Sequence, residues 1–226
     1  MVNVIYYLDI VSSWCFYSES TWAELKRRYQ GVATFDWKVS LIPEDGMPKT
    51  REEEEWYYRR SGTMVARNPM LQSGWWEAGI AEYLAPNAVA EAARVLGATG
   101  DEVRLALARA ALEEGRKVGR WEIAAEIAAP VAGVDPEELV AVARSEPVME
   151  RIRTSTDEFF SLQVTQRPTF MVTDEIDDRA VFSGLIQIEP LVTTIDQMIT
   201  DCRAYRSWEA HFGSAKDPVW GKGVRS

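Results

Sequence analysis

The sequence predicts an α/β fold in which one sheet is assembled from the two ends of the chain, with an all-helical block inserted between them. Three observations predict it. The chain opens β-α-β, with apolar runs at 2–9 and 33–41 flanking an amphipathic stretch. Its middle is rich in alanine and reads as consecutive helices punctuated by glycine. Its end returns to two short β runs and a last helix, so the order β-α-β, helices, α-β-β-α completes one sheet instead of two domains in series.

Segment 2–9 carries Ile5, Tyr6, Tyr7 and Leu8 bounded by Asp9, a continuous apolar run that suits a buried strand. A helix is predicted over 13–29, because Trp14, Tyr17, Thr21, Trp22, Leu25 and Tyr29 recur at helical spacing, with Ser12 or Ser13 as N-cap. Segment 33–41 places Phe35, Trp37, Val39 and Leu41 in alternation and ends at Pro43, which suits a second strand. A helix between two strands favours a parallel pair. From 48 to 74 the pattern is irregular, with an acidic run Glu52 to Glu55, then Trp56-Tyr57-Tyr58 and Asn68-Pro69, and Trp75-Trp76 just beyond. This predicts a loop and short-helix region in which the acidic run is a solvated helix start without catalytic meaning.

Helices are predicted over 80–97, 101–115, 121–129, 136–143 and 147–162, with Asp101 and Asp135 as N-caps and Gly97, Gly115 and Gly133 as stops. After Pro168, segments 169–172 and 180–183 form two short strands around the polar turn 174–179. A final helix over 189–205 sets Leu191, Ile195, Met198 and Cys202 on one stripe. The expected division is a discontinuous sheet domain, 1–45 and 160–205, a helical insertion, 46–159, and an irregular tail, 206–226, that holds His211.

Composition bounds the function. With 46% hydrophobic and 27% charged residues, the chain reads as globular. A net charge of -10 argues against a nucleic-acid backbone or an anionic membrane surface as partner. The N-terminus enters a strand directly and no 18-residue apolar run occurs, which predicts a cytoplasmic protein without a membrane segment. Two cysteines, Cys15 and Cys202, are too few for a disulfide framework, and with a single histidine no metal site is expected.

Two short segments carry the chemistry: Ser12-Ser13-Trp14-Cys15 and Arg167-Pro168-Thr169-Phe170. The first opens a helix, whose N-terminus favours an anion and is a setting in which thiolates are stabilised. The second puts a proline just ahead of a β run, where it does not block a ladder. With the order of elements, and with the stretches Leu105-Ala106-Leu107 through Gly115, Ile123 to Ala129 and Val164 through Phe170, they resemble the DsbA-like branch of the thioredoxin superfamily over about Val4 to Cys202. In pattern the chain is similar to the cytoplasmic group of 2-hydroxychromene-2-carboxylate isomerases and kappa-class glutathione transferases. The resemblance implies a thioredoxin-like fold with an all-helical insertion between the β-α-β and β-β-α halves. In the disulfide oxidoreductases of this branch the helix begins Cys-x-x-Cys; here Ser12 stands first and Cys15 second. A serine at the first position, typically followed by proline, marks the glutathione-dependent members. Ser12 matches that pattern, Ser13 departs from it, and Trp14-Cys15 look more like the redox relatives.

By this resemblance the protein is an enzyme, a thiol-dependent isomerase or transferase acting on a small hydrophobic or aromatic electrophile, with Ser12 and Cys15 as catalytic residues. Glutathione or another low-molecular-weight thiol would lie against Ser12, Ser13, Trp14, Arg167 and Pro168. Ser12 is a poor nucleophile without a base but a good hydrogen-bond donor, so it suits stabilisation of a bound thiolate. Pro168 resembles the cis-proline facing the active helix, and the Arg167 guanidinium could hold a carboxylate; a trans Pro168 in an ordinary loop and a solvent-facing Arg167 are the alternatives. Trp56, Tyr57, Tyr58, Trp75 and Trp76 suit a substrate pocket, and ordinary packing explains them equally well. Cys15 is either a thiol for mixed-disulfide exchange or a buried small hydrophobe, and Cys202 belongs to core packing. The competing functions are a thiol-disulfide oxidoreductase working through Cys15 and a non-catalytic thioredoxin-fold binding module, with a homodimer through the insertion or tail left open.

Overall fold

Residues 2–8 form strand β1 (Val2–Leu8), and burial on both faces explains why they are apolar without alternation. β1 pairs in parallel with β2 (Ala33–Val39) and antiparallel with β3 (Thr169–Thr173), which forms a hairpin with β4 (Arg179–Ser183). The strand order is β2-β1-β3-β4, so the two ends of the chain meet along β1. The computed structural model describes residues 1–65, 71–80, 82–184 and 187–213. Asn68-Pro69 and the tail beyond 213, including Trp220, lie outside the described residues.

Helix α1 (Ser13–Arg28) connects the parallel pair and buries Ser13, Cys15, Tyr17, Ser18, Trp22 and Leu25; of the predicted stripe Tyr17, Trp22, Leu25 and Tyr29 are buried, and Trp14 and Thr21 are half-buried. Against it lies the Val4, Tyr6 and Leu8 face of β1, where Tyr6 stacks on Phe170 with ring centroids 4.7 Å apart and Trp22 tilts against both. On the opposite face, Ile5, Tyr7 and Met171 pack with Phe159 of a later helix. The helices α2 (Arg51–Val65), α3 (Leu84–Val95), α4 (Glu102–Leu112), α5 (Trp121–Ala132) and α6 (Pro136–Ala143) follow, then α7 (Glu146–Ser161) returns to the sheet and α8 (Ile188–Phe212) closes the chain. No described helix is long and apolar enough to cross a membrane.

Several expectations are corrected. The irregular stretch after Pro48 contains a full helix, α2, started by Thr50, whose hydroxyl accepts the Glu53 N–H at 3.1 Å. α5 runs past Pro130 to Ala132, since a proline in the last turn disturbs only the bond and carbonyl one turn before the helix end, and Gly133 ends it with φ 69°. α8 continues to Phe212, so the first residues of the tail, His211 included, are helical. Asp135 caps α6 through the N–H groups of Glu137 and Glu138, but the Asp101 carboxylate leaves its own helix uncapped and binds Trp22 Nε1 and Lys26 Nζ across the fold.

Candidate functional site

The site is organised by Asp9, the residue that ends β1. Its buried carboxylate accepts the N–H groups of Val11 at 3.0 Å and Ile42 at 2.9 Å, and the side-chain amide of Asn87 at 3.1 Å. Asn87 in turn accepts the Ile10 N–H at 3.1 Å. One carboxylate therefore ties the turn before α1 to the chain beyond β2 and to α3 of the insertion. Burial raises its pKa, and the hydrogen bonds from Ile42, Asn87 and Val11 pull it back toward the charged form.

That turn presents Ser12 as the N-cap of α1. Its Oγ accepts the Cys15 N–H at a long 3.4 Å, and its hydroxyl hydrogen can turn either to the Cys15 sulfur behind it or to a group in front of it. The first-turn N–H groups of α1 have no intrahelical acceptor. They face a cleft of about 560 Å³ whose walls include Ser12, Ser13, Trp14, Ile42 and Met47 on one side and Thr165, Gln166 and Arg167 on the other. Ser12 is only 7% exposed, yet it lines the cleft.

Cys15, one turn further on, does not line the cleft. It is 3% exposed, and burial pushes its thiol up to about 12, with the Ser12 hydrogen bond opposing and the Asp9 and Glu19 charges adding to the rise. Such a thiol stays protonated at neutral pH. Cys202 on α8 is also buried, and neither cysteine is in a disulfide. An aromatic disulfide reagent at pH 8 is therefore expected to label Cys15 only at the rate of unfolding; labelling within seconds in the folded protein would refute the shielding.

The Arg167–Pro168 peptide bond is cis. Arg167 is buried at the cleft wall and its guanidinium is engaged by backbone carbonyls: Nε donates to Ser40 O at 2.6 Å, and the terminal nitrogens donate to Leu41 O and Thr165 O. This side chain clamps the segment after β2 to the loop before β3, and of the two sequence alternatives the solvent-facing one is excluded. The aromatic run divides by helical geometry. Successive residues of α2 point about 100° apart, so Tyr57 faces the cleft, Trp56 faces solvent and Tyr58 enters the core. Trp75 also lines the cleft, whereas Trp76 does not and donates through Nε1 to the carbonyl of Pro48 in the cleft wall. Of the five aromatics assigned to the pocket, Trp56, Tyr58 and Trp76 are corrected to other roles.

Three cleft or hub residues escaped the sequence reading. Asp9 read only as the end of a strand. Glu54, read as solvated, is 5% exposed and lines the cleft. Arg60, also in the cleft, lies over Trp14, Trp56 and Tyr57 at 5.7, 5.3 and 5.1 Å, and among the described residues no carboxylate lies within ion-pair distance of it. Once α2 is recognised, Glu54 and Tyr58 at i, i+4 and Tyr57 and Arg60 at i, i+3 form two adjoining ridges.

Comparisons agree with this architecture. The profile of the DSBA-like thioredoxin domain matches residues 3–196. In three dimensions the chain is similar to a candidate protein disulfide isomerase from Nitrosomonas europaea, at TM-score 0.70 and 15% identity, covering 88% of this chain and 98% of that one. It is also similar to the cytosolic disulfide reductase DsbM from Pseudomonas aeruginosa, at TM-score 0.65 and 16% identity, covering 91% and 99%, and to DsbA of the same organism, at 0.57 and 16%, covering 91% and 86%. Among curated proteins none matches by sequence.

Proposed function

Since the chain belongs to the DSBA-like thioredoxin domain family, we propose that its cleft holds an external small thiol, with glutathione as the reference case, and applies it to a small hydrophobic or aromatic electrophile as an isomerase or transferase. One observation carries this reading: Ser12 lines the cleft and Cys15 does not. When bound, such a thiol supplies the sulfur nucleophile that the cleft's own side chains lack. Ser12 Oγ can swing its hydrogen from the Cys15 thiol, a weak acceptor, to a sulfur anion, and α1, sixteen residues long, adds the positive end of its dipole. Both lower the pKa of a thiol held there. The donor set fits a thiolate, since hydroxyl and amide N–H groups line the wall and no carboxylate belongs to the Ser12–Trp14 turn.

The remaining walls suit the electrophile. Tyr57 and Phe160 offer rings, Ile42 and Met47 offer apolar surface, and Arg60 offers a cation to any carboxylate carried by thiol or substrate. The DsbM reductase has also been solved with GSH, at TM-score 0.63 to this chain, which supports glutathione as the first thiol to try. Disulfide exchange through Cys15 is the second reading, and the burial and raised pKa of that thiol weigh against it.

The test is a titration with reduced glutathione followed by tryptophan fluorescence, which Trp14 in the cleft wall should report. Saturable quenching is expected, about tenfold weaker in Ser12→Ala, the equivalent of about 1.4 kcal/mol for a hydrogen bond to a charged group. Cys15→Ala should bind as the wild type does. No saturation in the wild type, or equal affinity in Ser12→Ala, would reject the reading.

A further inference from the structure

Resting on this reading of the cleft, we propose that Glu54 is a catalytic residue of the same site, the group that takes the proton from the bound thiol and delivers it to the substrate carbon. Three features of its placement argue for this. First, Glu54 lines the cleft that Ser12 lines, so a substrate filling the cleft meets its carboxyl. Second, it is not spent on structure. Its neighbours in the acidic run are engaged elsewhere: Glu53 accepts the Lys49 N–H at 2.8 Å, and Glu55 accepts the Ser73 hydroxyl at 2.8 Å and lies near Arg51 and Arg59. Glu54 is buried, and among the described residues no cation lies within ion-pair distance of it. A buried carboxyl without a cation is costly to keep unless the site uses it.

Third, its orientation is fixed by a relay. Trp75 Nε1 donates to the Tyr58 hydroxyl oxygen, which leaves the Tyr58 hydrogen to be directed at Glu54, its neighbour one turn earlier on α2. Tyr58 and Trp75 are nearly inaccessible, so the relay is held in the interior behind Glu54, which itself lines the cleft. The groups facing Glu54 are Glu53 and Tyr58 on α2, Trp75 in the following segment and Tyr83 just before α3, with Asp45, Tyr57, Arg60 and Arg167 elsewhere on the cleft wall. Burial raises the Glu54 carboxyl to about 7, the Glu53 charge adds to the rise and the Tyr58 hydrogen bond opposes it. Both protonation states are then populated at neutral pH, as a group that accepts and returns a proton requires.

For addition to an activated double bond the balance is complete. One S–H bond and one C=C π bond break, and one C–S and one C–H bond form. Glu54 accepts the proton at S–H, the π electrons move toward the activating carbonyl, and Glu54 returns the proton to the carbon that gained them. No oxidant or reductant enters. In an isomerisation the same carboxyl removes that proton again as sulfur leaves.

The experiment compares wild type, Glu54→Gln and Ser12→Ala with glutathione and an aromatic enone, benzylideneacetone. Glutamine keeps the shape and can still accept from Tyr58. Glu54→Gln is expected to bind glutathione within about threefold of wild type, to lose about 10²-fold in turnover, and to lack the rise in rate with pH through about 7 that the wild type shows as Glu54 deprotonates. Wild-type turnover and pH profile retained in Glu54→Gln would overturn the assignment alone. Failure of wild type to bind glutathione would overturn the reading of the cleft, and the assignment with it. If the enone is not turned over or Glu54→Gln does not fold, infrared spectra of the wild type decide. A protonated-carboxyl band that titrates near pH 7 and shifts when glutathione binds is required, and a band indifferent to glutathione overturns the proposal.

Discussion

Replacing Asp9 by alanine is expected to destabilise the protein by about 3–5 kcal/mol and to weaken glutathione binding although Asp9 does not line the cleft. The stability loss follows from what the carboxylate holds: three donors, from Val11, Ile42 and Asn87, all left without their acceptor in a region too buried for water to replace it easily. Each unsatisfied buried donor costs about 1–3 kcal/mol, and the three share one acceptor, so their losses do not simply add. The functional loss follows because the same bonds set the turn that delivers Ser12 to the cleft. Asp9→Asn should fall between, at about 2 kcal/mol, since one carboxylate oxygen becomes an NH₂ that faces a donor. Urea unfolding of the three proteins measures the stabilities; a loss below about 1 kcal/mol in Asp9→Ala would refute the role of Asp9 as hub.

Removal of Arg104 should be comparably severe. This guanidinium, 2% exposed, donates through NH1 to Glu19 and through Nε to Asp101 at 3.2 Å, with NH2 2.9 Å from the same carboxylate. It lies over the rings of Tyr6 and Trp37 at 5.6 and 5.7 Å. Glu19 also accepts from Tyr6, and Asp101 from Trp22 and Lys26, so the network fastens α1 to β1 and to the insertion. Arg104→Ala strands Glu19 in the interior, a loss of about 3–5 kcal/mol. The sign of the pH dependence follows from Glu19. Burial already raises its pKa, and Arg104 is the largest opposing influence. Without Arg104 that pKa rises further, the folded state binds a proton more tightly than the unfolded one, and stability is lost as pH rises through the new folded value. The variant should therefore be nearer to wild type at pH 5 than at pH 8. An equal deficit at both would show that Glu19 is not the stranded charge.

The helix and strand pattern was legible because period and punctuation are local. Ser12 capping α1, Asp135 capping α6 and the left-handed Gly133 each act within a turn of the residues they cap. The region after Pro48 was not legible, since a run of charges followed by three aromatics has no single apolar face to betray α2. Its residues serve three surroundings at once: solvent for Trp56, cleft for Tyr57 and Glu54, core for Tyr58.

By itself the sequence determined the element order, the parallel opening pair, the return of the chain to one sheet, and the two segments that meet at the site. Only the tertiary structure decided what each side chain does there. Cys15 is shielded because its face of α1 turns to the sheet, and Arg167 is consumed by the carbonyls of Ser40 and Leu41, more than a hundred residues earlier in the chain. Glu54 is drawn out of an ordinary acidic run into a cleft by Tyr58 and Trp75. Periodicity records which residues prefer to be buried; the protonation state and free valence of a buried group depend on partners that the fold brings from elsewhere in the chain.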